Sequence, residues 1–369
     1  MTPDVLLIRD ILREIERIAP PSLQESYDHT GLQVGDVDQL ARGALLCLDV
    51  TEAVVDEAIA HDCNLIIAHH PLLFHPLREL TGADYVQRCV AKACRHDVVI
   101  YAAHTNLDNA AGGVNDHLSK LLGLRATRIL RPLLDSLLKL VTFVPESHAD
   151  AVRAALADAG AGHIGAYDAC SFSTRGEGRF RASEGCRPYV GTVGALHLEP
   201  EVRVETILPN HLRGAVVRAL LAAHPYEEPA FDLYPLRNAW PQVGSGVVGE
   251  LAEPMSEQDF LCLLKDTLAV PCVRHTALRG RPIRRVALCG GSGAFLWRDA
   301  VAAGADAFVT GEAKYNDFFD VEDRLLFAVI GHYESEVPTV DLFHKIISDK
   351  HPTFALHNTK TNTNPIKYL

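Results

Sequence analysis

The stretch CNLIIAHHP, residues 63–71, combines an apolar run with two adjacent histidines at its end. The run predicts a buried strand, which places His69 and His70 where open α/β sheets gather functional groups. Neighbouring strand residues point to opposite faces, so the pair more naturally serves two adjacent ions than one, unless the chain breaks at Pro71. The alternative is a pair of exposed or hydrogen-bonded loop histidines.

Short apolar runs and helical patterns alternate on both sides of this stretch. The pattern predicts helices over Val5–Ile18, over residues 52–60 with Thr51 as the N-cap, and over Tyr85–His96. It predicts further strands at ALLCLDV, residues 44–50, and at DVVIYAAH, residues 97–104. Strands alternating with helices indicate a parallel or mixed sheet.

The pattern changes from about Ser136, where a β-α-β-β-α-β order begins, with helices over 148–160 and 212–223. This order is typical of a ferredoxin-like α+β domain. The first pattern resumes after residues 235–249, with a helix over Ser256–Leu268. We therefore expect one discontinuous α/β domain with a mixed sheet, residues 1–130 and 247–369, interrupted by an inserted ferredoxin-like domain at residues 131–246.

Composition excludes several classes of protein. Of 369 residues, 48% are hydrophobic and 22% are charged, which excludes a disordered chain. The formal net charge of -12 makes direct nucleic-acid binding an unfavourable interpretation. Nine scattered cysteines without a CxxC pair indicate reduced thiols, and the sequence contains neither a signal peptide nor a membrane-spanning apolar run. We expect a cytoplasmic protein that does not enter membranes.

A second group of polar residues follows the strand at 97–104. His104 ends that strand, and Asp108 lies four residues later. Asp108 is a candidate metal ligand, although it could instead cap the following helix, a role that suits Asn115 better. His104 is either an additional ligand or a residue that supports the ligands.

A third group is GHYESE, residues 331–336, which follows another apolar strand. His332 and Glu336 are four residues apart and would share one face of a helix, whereas Glu334 would point elsewhere. The alternative assigns Ser335 and Glu336 to the cap and first turn of a helix over about 335–347.

The three groups together supply histidine nitrogens and carboxylate oxygens from the ends of three strands. This donor set suits Zn, Fe or Mn rather than a thiolate site, and it is sufficient for two divalent ions about 3.5 to 4 Å apart. The predicted ligands are His69, His70, Asp108, His332 and Glu336.

Six motifs in order resemble the Nif-three-like dinuclear metal-centre family, also known as GTP cyclohydrolase 1 type 2 homologues. They are LDVTEAVVDEAI (48–59), LIIAHHPLLF (65–74), YAAHTNLDNAAGGVND (101–116), CGGSG (289–293), VTGEAKYND (309–317) and GHYESE (331–336). The segments at 160–180, 187–194 and 223–236 are similar to the P-II or CutA-like inserted domain of longer bacterial members.

The resemblance implies that His69 and Asp108 bind metal, that His70, His332 and Glu336 complete a pair of ions, and that His104 is a possible further ligand. It also implies a toroidal homohexamer whose metal sites face an internal cavity. Two motifs depart from the family pattern, at YDHTGL (27–32) and at the segment containing Glu312 and Lys314. The expected substrate pocket therefore includes Asp28, His29 and Lys314.

The function expected from these features is that of a metal-dependent hydrolase, in which a metal-bridged water attacks a nucleotide-like substrate. The family name implies that the bond attacked lies in the purine ring of GTP. A phosphoester bond is the alternative target. Glu334 and His104 are candidate general acids. The alternative is a non-enzymatic, metal-loaded regulatory or chaperone-like assembly that acts through its inserted domain.

The loop CGGSG, residues 289–293, could cradle a phosphate with its backbone N–H groups. It matches neither a Walker A loop nor GxGxxG, so a tight turn between strand and helix is the favoured interpretation.

Overall fold

The computed structural model describes residues 6–369, which form two compact units. One unit contains the described residues up to Arg131 together with Gln242–Leu369, and the other is Pro132–Pro241. The helices are α1 (Ile8–Ile18), α2 (Glu52–Ala60), α3 (Tyr85–Arg95), α4 (Thr105–Asn109), α5 (Val114–Leu121), α6 (Ala149–Asp158), α7 (Arg213–Ala223), α8 (Glu257–Leu268), α9 (Trp297–Ala302), α10 (Asp317–Val321), α11 (His332–Glu336) and α12 (Thr339–Ser348).

The strands alternate with these helices along the chain. They are β1 (Gly31–Val34), β2 (Ala44–Cys47), β3 (Leu65–Ala68), β4 (Val99–Ala102), β5 (Arg125–Leu133), β6 (Leu137–Pro145), β7 (Ser171–Arg181), β8 (Leu196–Pro209), β9 (Phe231–Leu236), β10 (Trp240–Met255), β11 (Arg274–His275), β12 (Ile283–Cys289), β13 (Ala307–Thr310), β14 (Leu326–Val329) and β15 (Leu356–Asn358).

The first sheet has the order β1-β4-β3-β2-β15. Its strands β15, β2, β3 and β4 are parallel, and β1 is antiparallel to β4. The register pairs Cys47 with Ala68 and Ala68 with Ala102, so the residues that follow β2, β3 and β4 emerge at one edge. The parallel or mixed sheet predicted from the alternating pattern is confirmed.

The second sheet of the same unit has the order β11-β14-β13-β12-β10-β5. Strands β12, β13 and β14 are parallel, and β10 and β11 are antiparallel to their neighbours β12 and β14. Every residue of β2, β3, β4, β13 and β14 is buried. Burial on both faces explains why these strands are continuous apolar runs in the sequence.

Several helix ends match their sequence signals. Thr51 accepts a hydrogen bond from the backbone of Val54, and Ser256 accepts one from the backbone of Asp259. The first helix begins at Ile8; the predicted start, Val5, lies outside the described residues.

Two predictions about helix starts were wrong. Gly113, not Asn115, precedes α5, because the Asn115 side chain makes tertiary hydrogen bonds to the Asp108 carbonyl and the Gly290 amide. The helix expected from about Ser335 is instead two helices, α11 and α12. Pro338 has no N–H to donate and so stands at the start of α12.

The unit Pro132–Pro241 contains the antiparallel sheet β7-β8-β6-β9. Helices α6 and α7 provide apolar side chains to its core, including Val152, Leu156, Val216 and Leu220. Both helices lie within the ranges predicted for them.

All nine cysteines are free thiols. Between residues 6 and 369, every helix is too short or too polar to cross a bilayer.

Candidate metal centre

The candidate metal centre is formed where strands of both sheets end. His69 and His70 directly follow β3, and His104 lies between β4 and α4. Asp108 belongs to α4, while His332 and Glu336 are the first and last residues of α11, which follows β14. The fold therefore brings together the three groups of residues that the sequence separates.

His69 is the most deeply buried of these residues, with no exposed surface. Its Nδ1 donates a hydrogen bond to the carbonyl oxygen of Ala103 at 2.8 Å, so Nε2 is the ring nitrogen that faces Asp108 and Glu336. That Nε2 is buried and has no hydrogen-bond partner among the described residues. It lies 3.7 Å from Oδ1 of Asp108 and 3.8 Å from Oε1 of Glu336, both too far for a hydrogen bond.

A buried nitrogen without a partner is unfavourable and requires an explanation. The Nε2 of His69 and the carboxylate oxygens of Asp108 and Glu336 are all atoms that can donate an electron pair to a cation placed between them. The surroundings of His69 therefore fit a metal ion.

His70 is held at both ring nitrogens. Its Nδ1 donates to Oδ1 of Asp49 at 2.7 Å, and its Nε2 lies 2.8 Å from Oε2 of Glu336. Burial alone would lower the pKa of His70, but the hydrogen bonds to Asp49 and Glu336 raise it to about 10. In the metal-free protein the His70 ring therefore carries a proton that a metal ion would displace.

His332 and Glu336 lie one helical turn apart, as their spacing predicts. The Nε2 atom of His332 is 2.9 Å from Oε2 of Glu336 and 3.3 Å from Nε2 of His70. Its Nδ1 lies 3.2 Å from Oε1 of Glu312.

The Glu336 carboxylate faces both sets of histidines and is 3% exposed. Oε1 is directed to His69, whereas Oε2 is directed to His70 and His332. Burial opposes its ionisation, but the three histidines hold its pKa well below the usual range. Burial and the Glu336 charge raise the pKa of Asp108 to about 7, against the opposing effect of His69.

The potential ligand atoms form three groups, each with its atoms within 4.8 Å of one another. The groups are His69, Asp108 and Glu336; His70, His332 and Glu336; and His69, His70 and His104. All five predicted ligands and His104 are thus brought together.

His104 is oriented by Asp28. Its Nδ1 donates to Oδ1 of Asp28 at 2.8 Å, and the other carboxylate oxygen accepts hydrogen bonds from the backbone and hydroxyl of Thr105. Burial would raise the pKa of Asp28, but these donors hold it well below its usual range. The Asp28 side chain is fully buried, so it orients His104 instead of lining an open pocket as expected.

The other residues expected near a substrate lie outside the three groups. His29 is exposed, and its Nδ1 bonds to the carbonyl oxygen of Leu73 at 2.7 Å. Lys314 is exposed, and its backbone N–H donates to Asp317. Glu334 is buried and accepts a hydrogen bond from Asn364 at 3.0 Å, which directs it away from the three groups.

Sequence reasoning missed the acceptors that orient the histidines. In all four rings Nδ1 faces an oxygen atom, which leaves Nε2 as the available nitrogen. Such outer acceptors fix the tautomer of metal-binding histidines. Asp49 could have been found, because it follows β2 at the same edge of the sheet as His69 and His104. Glu312 follows β13 in the same way.

The CGGSG loop is a tight turn, as favoured from its sequence. Three of its amides are already used: Gly290 donates to Asn115, Gly291 to Ser335 and Gly293 to Thr310. Gly291 has φ +57°, and a Cβ there would collide with Oε1 of Glu336. The loop therefore packs against the centre and does not offer these amides to a phosphate.

Comparisons with known proteins show the family of the chain and agree with its fold. The profile of the DUF34/NIF3 (NGG1p interacting factor 3) family matches residues 6–365. A protein of Halalkalibacterium halodurans named GTP cyclohydrolase 1 type 2 homolog is 39% identical over 364 residues, covering 97% of this chain and 98% of that protein. A Bacillus subtilis protein of the same name is 38% identical and covers 98% of each chain.

A solved structure supports the same assignment. The crystal structure of a Bacillus cereus protein related to NIF3 superimposes with a TM-score of 0.85 at 38% identity, covering 99% of this chain and all of that one. The two structures therefore share the mixed α/β fold over nearly their whole length. The chain therefore belongs to the DUF34/NIF3 family.

Proposed function

We propose that this chain is a dinuclear metal-binding hydrolase. The observation that carries the proposal is the unpartnered, buried Nε2 of His69 opposite the carboxylates of Asp108 and Glu336. One ion would be held by these three residues, and a second by His70, His332 and Glu336, with Glu336 common to both sets. His104 is an alternative further ligand, but its Nε2 cannot bind metal and also carry out the proton transfer proposed below.

The donors favour Zn, Fe or Mn as the divalent ions. The five proposed ligands offer imidazole nitrogen and carboxylate oxygen, and no thiol belongs to the three groups in residues 6–369. Cys289 lies close enough for burial and the charges of Asp108 and Glu336 to raise its pKa well above the usual range. Because its sulfur belongs to none of the three groups, we assign Cys289 no role in binding.

A pair of divalent ions supplies Lewis acidity for the hydrolysis of phosphoesters and related bonds. The residues supply orientation and proton transfer. Because Asp28 accepts the Nδ1 proton of His104, the Nε2 of that ring is the nitrogen that can hold or deliver a proton at the centre. We therefore propose His104, rather than the outward-directed Glu334, as the proton-transfer residue.

The substrate that we propose is nucleotide-like. The support is the name GTP cyclohydrolase 1 type 2 homolog carried by similar proteins, together with the exposed imidazole of His29 and ammonium of Lys314, which could meet an anionic group. A phosphoester is the second bond class to be assayed.

We also propose the domain boundaries and the assembly expected from the sequence. Residues 131–246 would be a ferredoxin-like domain inserted between residues 1–130 and 247–369, supported by the antiparallel order β7-β8-β6-β9 with two helices. The chain would assemble as a toroidal homohexamer. Multi-angle light scattering tests this by measuring the molar mass of the assembly.

The hydrolase proposal is tested with protein loaded separately with Zn, Fe or Mn. We expect turnover of GTP or of a member of a phosphoester panel, and we expect Asp108→Ala and Glu336→Ala to abolish it. His104→Ala should retain metal and lower kcat by about 100-fold or more. Turnover that is unchanged by all three substitutions would contradict the proposal.

A further inference from the structure

The unit Pro132–Pro241 contains a cavity of about 670 Å³ that the metal centre does not use. All its lining residues belong to this unit. The volume is within the range of about 300 to 1,000 Å³ that is typical of small-molecule sites.

The cavity lies on the face of the sheet opposite the core. Side chains of a strand alternate between faces, and Val202 and Val204 of β8 pack in the core with α6 and α7. The residues between and beside them, Glu201 and Arg203, therefore point to the other face, where both line the cavity. Phe143 of the neighbouring β6 pairs with Arg203 in register and lines the same cavity.

Glu201 is the unusual member of this lining because its side chain is buried, at 8% exposure. Its Oε1 accepts a hydrogen bond from the Tyr226 hydroxyl at 2.8 Å. Within residues 6–369 the carboxylate forms no ion pair, and Oε2, which is not among the enclosed atoms without a partner, is open to the cavity. A carboxylate with one neutral donor and one accessible oxygen can accept further hydrogen bonds from a ligand in the cavity.

Gly178 on β7 makes room for this carboxylate. A Cβ at position 178 would collide with Oε2 of Glu201, so glycine allows the oxygen to lie against the strand. Among the residues that the structure describes, the neighbouring arginines form ion pairs with other acids and none with Glu201. These pairs are Arg175 with Glu146, Arg179 with Glu177, and Arg203 with Glu205.

Aromatic rings form the rest of the enclosure. The ring centroid of Tyr226 lies 6.0 Å from that of Phe180 and 6.3 Å from that of Tyr189, and all three rings line the cavity. Aromatic faces beside a carboxylate favour a flat ligand that is positively charged or rich in N–H donors.

We propose that this cavity is a binding site for a small planar ligand with an amidine-type edge, in which two N–H-bearing nitrogens are bonded to the same carbon. These N–H groups would donate to the Glu201 carboxylate, and the ring of the ligand would pack against Tyr189 and Tyr226. A guanine base and an aromatic amidinium both have this edge. The site would work independently of the metal centre and would give the second unit a ligand of its own.

Titration calorimetry of the full-length protein with guanosine and, separately, with benzamidine tests the proposal. We expect at least one of the two compounds to bind. Binding of guanosine would identify a neutral base as the ligand class, whereas binding of benzamidine alone would identify a planar cation. Inosine lacks the exocyclic amino group, so in the first case its affinity should be about tenfold lower. Absence of binding by both probes at about 1 mM would overturn the proposal.

Glu201→Gln replaces an acceptor by an amide of similar shape and should weaken binding by about tenfold or more. Glu228→Gln is the matched control, because Glu228 lines the same cavity but is exposed, and it should bind within about twofold of wild type. Equal affinity of Glu201→Gln and wild type would overturn the proposal.

Tyr226→Phe provides a second variant in case Glu201→Gln does not fold. It keeps the aromatic ring and removes the hydroxyl that competes for Oε1, so binding should be unchanged or tighter. A loss of binding in a folded Tyr226→Phe protein would contradict the assignment of Glu201 as the ligand's acceptor.

Discussion

The Nε2 atom of His70 lies 2.8 Å from Oε2 of Glu336, although 266 positions separate the two residues in sequence. His70 follows β3 of the first sheet, and Glu336 ends the short helix after β14 of the second sheet. The other oxygen of the same carboxylate faces His69. Glu336 therefore connects the two sets of potential ligands, and both sets depend on its position.

Substitution of Glu336 should affect metal at both positions. Loss of a residue that only orients a ligand can lower metal affinity by roughly 100-fold. Because Glu336 would be a ligand itself, we expect Glu336→Gln to lower metal affinity by more than that. Metal content after dialysis, measured by inductively coupled plasma mass spectrometry, checks this. Glu334→Gln is the control, because that side chain is on the same helix but bonds to Asn364. Equal metal content in both variants would contradict the assignment.

Gly291 should be required for the position of the Glu336 carboxylate. We expect Gly291→Ala to lower metal affinity, because its Cβ would displace Oε1 of Glu336. Gly280→Ala controls for backbone strain, because Gly280 also has a positive φ, +70°, but a Cβ there meets no atom within 4 Å. Both variants should lose about 1 kcal/mol of stability, and only Gly291→Ala should bind metal more weakly.

Asp49 should act on metal binding through His70. Removal of the acceptor in Asp49→Ala leaves the His70 ring without its hydrogen bond at Nδ1, and we expect a loss of about 10- to 100-fold in affinity for one ion. Competition with a metal-binding dye measures this loss. Asp62→Ala removes an exposed carboxylate that pairs with Arg42 and should leave the affinity unchanged.

The proposed ligands could be selected from the sequence because they lie at or shortly after the ends of apolar strands, where the functional groups of an α/β sheet are concentrated. The capping of α2 by Thr51 was also predictable, because the contact is local. The prediction that Asn115 caps α5 was wrong, because its side-chain amide accepts a hydrogen bond from Gly290, which is distant in sequence and which no local pattern indicates. The pairing of Asp28 with His104 was hidden for the same reason: it needs the register of β1 against β4.

Glu57 anchors the segment that follows β15, and this contact should depend on pH. Its carboxylate accepts hydrogen bonds from Thr359, Lys360 and Thr361. Burial opposes ionisation, but these donors lower the pKa of Glu57 below its ordinary value of 4.5. The stabilisation is therefore present above that value and is lost as the pH falls through the lowered pKa.

We accordingly expect Glu57→Gln to lower the free energy of unfolding by about 2 kcal/mol near neutral pH. Urea denaturation at about pH 7 and about pH 3 checks this, and the difference from wild type should narrow in acid. Asp56→Asn on the same helix removes only an exposed pair with Lys92 and should have little effect. A difference that grows as the pH falls would contradict this account.

The paired metal site is tested most directly by anomalous diffraction from crystals of the protein loaded with zinc. The account predicts two anomalous peaks, one among His69, Asp108 and Glu336 and the other among His70, His332 and Glu336. A map without a peak at these residues, or with zinc bound only elsewhere on the chain, would contradict it.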